Sequence, residues 1–223
     1  MVSLSKDDDA ARDYVGKISD SDFRKQAQAW VDWALATAAI NKRKPDAALK
    51  LARTDELSHI QRVWILTQCA KLIVPTDPER AMTIVAEATA EARRIDGSDD
   101  RARGLLAVAD ALMIVDQTRV WEALFEVVKA ANSADDFTGE GGSLPLTVAG
   151  KREINARFDD IPEFDLNGIL TELTKKDFDR AVQLAHGFQR DAPRANATIT
   201  ICRTVLNEKP TTSAPTPRSP AKN

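Results

Sequence analysis

The chain has 223 residues, 43% hydrophobic and 29% charged, with a formal net charge of −3. That length can bury a sizeable core, as one ordinary domain or two small ones. The near-neutral charge argues against a dedicated nucleic-acid binder, and no window approaches the roughly 18 apolar residues of a membrane span.

Residues 1–18 are polar and read as a frayed N-terminal segment. Lys6, Asp7, Asp8, Asp9, Arg12 and Asp13 make it too charged for the apolar stretch of a signal peptide. A cytoplasmic protein is expected, with a processed secreted form left open. Residues 19–132 read as a helical array. Asp20 or Ser21 caps a helix to about Arg43, with Phe23, Ala27, Trp30, Ala34 and Ala38 at helical spacing. A short helix covers Asp46–Arg53. Thr54 or Asp55 caps the next, through Val74. Thr76-Asp77-Pro78-Glu79 is a capping box with proline in the first turn, and Gly97 is expected to stop that helix. Ser98 or Asp99 opens a helix through Val115, and Asp116 caps another to about Ala131.

Residues 133–165 break the pattern. Leu144, Leu146 and Val148 alternate with other residues, as do Ile154, Ala156 and Phe158, which predicts a β-hairpin within an irregular insertion. Helices resume in 166–208, around Leu166–Leu173, Asp177–Gln189 and Pro193–Leu206. Residues 209–223, with four prolines, read as a disordered tail.

A repeat runs through the array. Arg62, Leu66, Ala70, Asp77, Arg80, Glu87 and Ala92 recur 39 residues later as Arg101, Leu105, Ala109, Asp116, Arg119, Glu126 and Ala131. Ala48-Leu49-Lys50-Leu51-Ala52 echoes Ala181-Val182-Gln183-Leu184-Ala185, giving four related helix pairs. The fold class is therefore all-α: stacked antiparallel helix pairs forming a short α-solenoid, with one irregular or hairpin insertion. Asp77-Pro78-Glu79-Arg80-Ala81 and the small residues Ala70 and Ala109 resemble the tetratricopeptide-like and HEAT-like solenoid class. The period is longer than that of a tetratricopeptide repeat, and the full Trp/Gly/Tyr signature is missing. What the resemblance implies is protein or peptide binding on a concave face; fold analogy carries function no further.

No catalytic, metal or cofactor motif is legible. His59 and His186 lack metal-ligand spacing, and Cys69 and Cys202 lie far apart without a CxxC partner. The pairs Asp99-Asp100, Asp135-Asp136 and Asp159-Asp160 read as helix caps or solvated loop. Gly139, Gly141 and Gly142 lack the context of a phosphate loop. The candidate partner-binding residues are Arg62, Arg101, Arg194 and Trp33. The arginines either line one groove and grip a partner's carboxylates or bond helix ends of the neighbouring repeat, the second being favoured. Trp30, Trp64 and Trp121 fall on apolar stripes, whereas Trp33 sits at a stripe's edge, where an exposed ring anchors a partner. The expected function is a non-enzymatic helical-repeat module binding a protein or peptide on a preformed surface, without cofactor, metal or nucleic acid. The alternative is an enzyme or small-ligand binder with its site between the 133–165 insertion and the helical stack.

Overall fold

The computed structural model describes residues 8–97, 99–148 and 154–207. Along them run α1 (Asp8–Gly16), α2 (Ser21–Asn41), α3 (Pro45–Ala52), α4 (His59–Ile73), α5 (Pro78–Arg94), α6 (Asp99–Val115) and α7 (Val120–Ser133). Then follow β1 (Gly142–Val148), β2 (Ile154–Ile161), α8 (Leu166–Lys176), α9 (Phe178–Gly187) and α10 (Asp191–Asn207). The expected tail, 209–223, and the turn of the hairpin, 149–153, lie outside the described residues.

Three aspartates mark the repeat. Asp77, Asp116 and Asp177 share one extended backbone conformation, with φ of −149, −157 and −153. The carboxylates of Asp77 and Asp177 accept the backbone N–H of Arg80 and Arg180, each at 3.0 Å, and Asp116 accepts that of Thr118 at 3.1 Å. Each aspartate thus satisfies an amide that the helix itself leaves unpaired. At Asp116 the capped segment is a 3-10 turn, Gln117–Arg119, which leads into α7.

The pairs are α3/α4, α5/α6 and α9/α10. A fourth, third in chain order, is split, because the insertion follows α7 and α8 then takes the second-helix place. The second helices form one layer: α2 meets α4, α4 meets α6, α6 meets α8 and α8 meets α10. The first helices α3, α5 and α7 are tied by ion pairs that follow the repeat. Arg53 binds Glu87 in fork fashion at 2.9 and 2.7 Å, and Arg93 binds Glu126 with its Nε at 3.0 Å. The apolar core between the layers is alanine-rich. Ala70, Ala81, Ala88, Ala92, Ala102, Ala109 and Ala131 are fully buried, which lets the helices approach closely. Gly104 extends this: a Cβ there would lie 3.1 Å from Ile95 Cδ1.

Three boundaries differ from the sequence reading. A helix, α1, occupies part of the segment expected to be frayed, and it buries Val15 against Val31 and Leu35 of α2. The fourth helix starts at His59 because Ser58 and Gln61 form a capping box, while Thr54 donates instead to Leu51 O. The fifth ends at Arg94, before Gly97, because Ile95 turns extended and enters the core. The left-handed glycine among the described residues is Gly139, φ 83.

At the end of α2 a non-glycine residue takes that conformation. Arg43 has φ 54, and Lys44 N donates to Ala39 O while Arg43 N donates to Ile40 O. These two bonds make a Schellman ending, whose left-handed position favours glycine. Arg43→Gly is expected to stabilise the fold by about 0.5–1 kcal/mol, read as a rise in melting temperature.

Candidate functional site on the second-helix face

The insertion folds back over the second helices. β1 pairs antiparallel with β2, Leu144 opposite Phe158, Leu146 opposite Ala156 and Val148 opposite Ile154. This is the hairpin the alternation predicts, with a bulge between Gly142 and Leu144. β1 lies against α2, and a 3-10 turn after β2, Pro162–Phe164, lies against α6. Leu144 and Phe164 are fully buried and Ile161 is 7% exposed, so the insertion is part of the core. Its neck is closed where Leu166 N donates to Gly139 O at 2.9 Å.

Glu163, in that turn, reaches three side chains of α4. Its carboxylate accepts Gln68 Nε2 at 2.6 Å, Trp64 Nε1 at 3.2 Å and Lys71 Nζ at 3.3 Å. Residues 64, 68 and 71 stand one turn apart on one stripe of the helix. Lys71 also pairs with Asp110 of α6, so one ammonium lies between two carboxylates. Both Glu163 and Lys71 are largely buried, with side chains 17% and 16% exposed. The same helix, α6, carries Arg103, which pairs with Asp99 at 2.6 Å and Asp100 at 3.2 Å. Gly142 passes so close to it that a Cβ would lie 2.7 Å from Arg103 Cδ.

Burial alone would raise the Glu163 pKa. The charge of Lys71, then the residue's own backbone amide and the Gln68 and Trp64 donors, outweigh it and hold the carboxyl below its ordinary value. A carboxyl depressed on folding stabilises the docked state above its unfolded value, and that contribution disappears as pH falls through the folded value. Docking of the insertion is therefore expected to be insensitive to pH near neutrality and to weaken below about pH 4. Hydrogen exchange in β1 should rise there in the wild type, and the rise should be smaller in Glu163→Gln.

The four residues singled out from sequence do not meet at this site. Trp33 is 2% exposed, and its ring lies 5.0 Å from that of Trp64 at 45°. The expectation of an exposed anchor there is corrected: the ring is buried between α2 and α4 and backs the indole that holds Glu163. Trp64, expected in the core, is the partly exposed one of the two. Arg62 is 15% exposed, with nitrogens 3.8 Å from Asp55 and from Glu91 of α5. Glu91 also binds His59 at 2.7 Å and Arg94 at 2.6 Å. Arg101 Nε donates to Ile95 O, at the end of α5, at 2.5 Å. Arg101 thus bonds the C-terminal end of α5, and Arg62 faces the last turn of the same helix through its 3.8 Å ion pair with Glu91. Arg194 is exposed and pairs within α10, with Asp191 at 2.5 Å. Arg101→Ala frees a helix-end carbonyl and should cost about 1–2 kcal/mol; Arg194→Ala should leave the thermal melt within about 0.5 kcal/mol of wild type.

Sequence reasoning missed Glu163, Gln68 and Lys71. A signal existed in the repeat itself. Trp64, Gln68 and Lys71 correspond, 39 residues on, to Arg103, Ala107 and Asp110. The repeats agree where helices stack and differ on the face that holds the insertion.

Among the described residues no group of three or more His, Cys, Asp or Glu is placed to hold a metal ion, and no helix is long and apolar enough to cross a membrane. Burial pushes the Cys69 thiol up to about 12, leaving it un-ionised at neutral pH. No protein-family model, curated protein or solved structure matches the chain.

Proposed function

We propose that this chain is a non-enzymatic helical-repeat module that binds a segment of a protein partner on its second-helix face, where Trp64, Gln68 and Lys71 receive a carboxylate. The grip on Glu163 supports the reading: an indole N–H, an amide and an ammonium in one row hold the carboxylate of an irregular segment laid across α4 and α6. Such a row suits a peptide, because it reads one acidic side chain while the flanking Phe164 and Ile161 enter apolar depressions. In the free protein the chain's own insertion is the occupant. A partner then binds in competition with it, and its apparent affinity falls by the fraction of time the site is filled. A nucleic acid is a poor fit, since Lys71 already faces two carboxylates. The reading includes a reducing, cytoplasmic setting, in which the exposed thiol of Cys202 stays free.

Calorimetric titration with the acetylated peptide Asp-Asp-Ile-Pro-Glu-Phe-Asp, the sequence of residues 159–165, tests this. Binding to the full chain carrying Glu163→Ala should be at least ~10-fold tighter than to wild type, and a peptide with glutamine in place of its glutamate should lose the difference. Equal affinity for both proteins, or no binding to either, would contradict the proposal.

A further inference from the structure

The two ends of the stack are finished differently. At the N-terminal end α1 covers α2: Val15 packs on Val31 and Leu35, and Arg12 binds the buried Asp32 at 2.9 Å. At the other end α10 is the last helix described. It packs on α8 and α9 through Pro193, Ala197, Thr200, Ile201 and Thr204. Its opposite face carries Ala192, Ala195, Ile199, Cys202 and Leu206, all exposed. These five follow steps of three, four, three and four residues, the spacing of a helix–helix seam. Ile199 is 48% exposed and Leu206 83%, with Val205 beside them at 46%. A solenoid end that stands alone needs a polar outer face, whereas this one carries a continuous apolar strip, flanked by Asp191, Thr198 and Arg203. Residues 208–223 offer only Ala214, Ala221 and prolines as apolar side chains, which cannot fill such a seam.

We infer that α10 is the interface at which two copies of this chain pair end to end, as an antiparallel two-fold dimer centred on Ile199. Two observations select that occupant. The seam tapers, from Ala192 and Ala195 at one end to Cys202 and Leu206 at the other. A two-fold axis at Ile199 places Leu206 over Ala192 of the second copy and Cys202 near its Ala195, so large meets small along the whole contact. A parallel pair would set alanine on alanine and leucine on leucine and splay the helices. Secondly, head-to-tail stacking is disfavoured, because the other end is covered by α1, whose outer residues Arg12, Asp13 and Lys17 are charged and exposed. An isologous contact closes on itself and gives a dimer, not a filament. α10 has 17 residues and is about 25 Å long. A contact of that size lies at the small end of specific interfaces, so the dimer dissociates on the order of 10 µM.

Sedimentation equilibrium of the full chain, from about 1 to about 300 µM to bracket that constant, tests the inference. Reversible monomer–dimer behaviour is expected. Ile199→Glu and, separately, Leu206→Lys should each weaken it by about 30-fold or more, with the thermal melt at low concentration unchanged because both side chains are exposed in the monomer. The full chain carrying Ala195→Cys, treated with copper phenanthroline as oxidant, should form a covalent dimer between residue 195 of one copy and Cys202 of the other. Within one chain these positions are about 10 Å apart along the helix and cannot bridge. A monomer at every concentration would leave the seam to a different protein and overturn the inference. So would a dimer indifferent to both charge substitutions, or a wild-type dimer that cross-links readily through its two Cys202 thiols.

Discussion

Replacing Leu106 with alanine is expected to lower stability by about 2–5 kcal/mol. Leu106 is fully buried in α6, which touches α4, α5, α7 and α8. Such a site cannot collapse around the cavity, because the alanine-rich core has already brought the helices close. For a domain of this size the loss corresponds to a fall in melting temperature on the order of 10 °C. The position in the stack matters as much as the residue. Leu184 is equally buried, in α9 of the last pair. A solenoid transmits stability between nearest neighbours, so Leu184→Ala should loosen α9 and α10 ahead of the rest, as faster hydrogen exchange there. Uniform exchange across the chain in both variants would contradict this, showing that the stack opens as a single unit and not pair by pair.

Glu163→Ala is expected to cost about 2–3 kcal/mol and to release the insertion locally. The substitution leaves Lys71 with Asp110 alone and strips the acceptor from Gln68 and Trp64, in a site where the partners are mostly shielded from water. Glu163→Gln keeps the shape and an acceptor oxygen, and should cost about half as much. Differential scanning calorimetry gives the cost, and hydrogen exchange in β1 shows where it falls. A Glu163→Ala protein with wild-type exchange in Gly142–Leu144 would mean that Phe164 and Leu144 hold the insertion without the carboxylate.

The stack was legible because its signals are local and repeated. Asp77 and Asp116 are caps in any helical reading, and the match of Glu87 with Glu126 is explained by two ion pairs, to Arg53 and Arg93, that tie successive first helices. The alternation at Leu144, Leu146 and Val148 was enough for a hairpin. The site was not legible, since it joins residues far apart in the chain: Glu163 meets Trp64, Gln68 and Lys71 across the whole insertion. Nothing in a linear pattern states which way a hairpin folds back. The periodic arginines recur in sequence, yet their contacts are not equivalent: Arg62 reaches forward from α4 and Arg101 back from α6, both to the end of α5. Trp33 shows the limit of a stripe argument. Three residues from Trp30 on a helix that contacts α1, α3, α4 and β1, it has no solvent side to face.

On the proposed function, the Trp64–Gln68–Lys71 row is a carboxylate site, filled by Glu163 in the free protein and by a partner when bound. The indole N–H resonance of Trp64 reads that site directly. In the wild type it should be shifted downfield and protected from exchange with water. In Glu163→Ala it should move upfield and lose protection, and titration with the residue 159–165 peptide should return it toward the wild-type position. An indole resonance that ignores both the substitution and the peptide would contradict the claim.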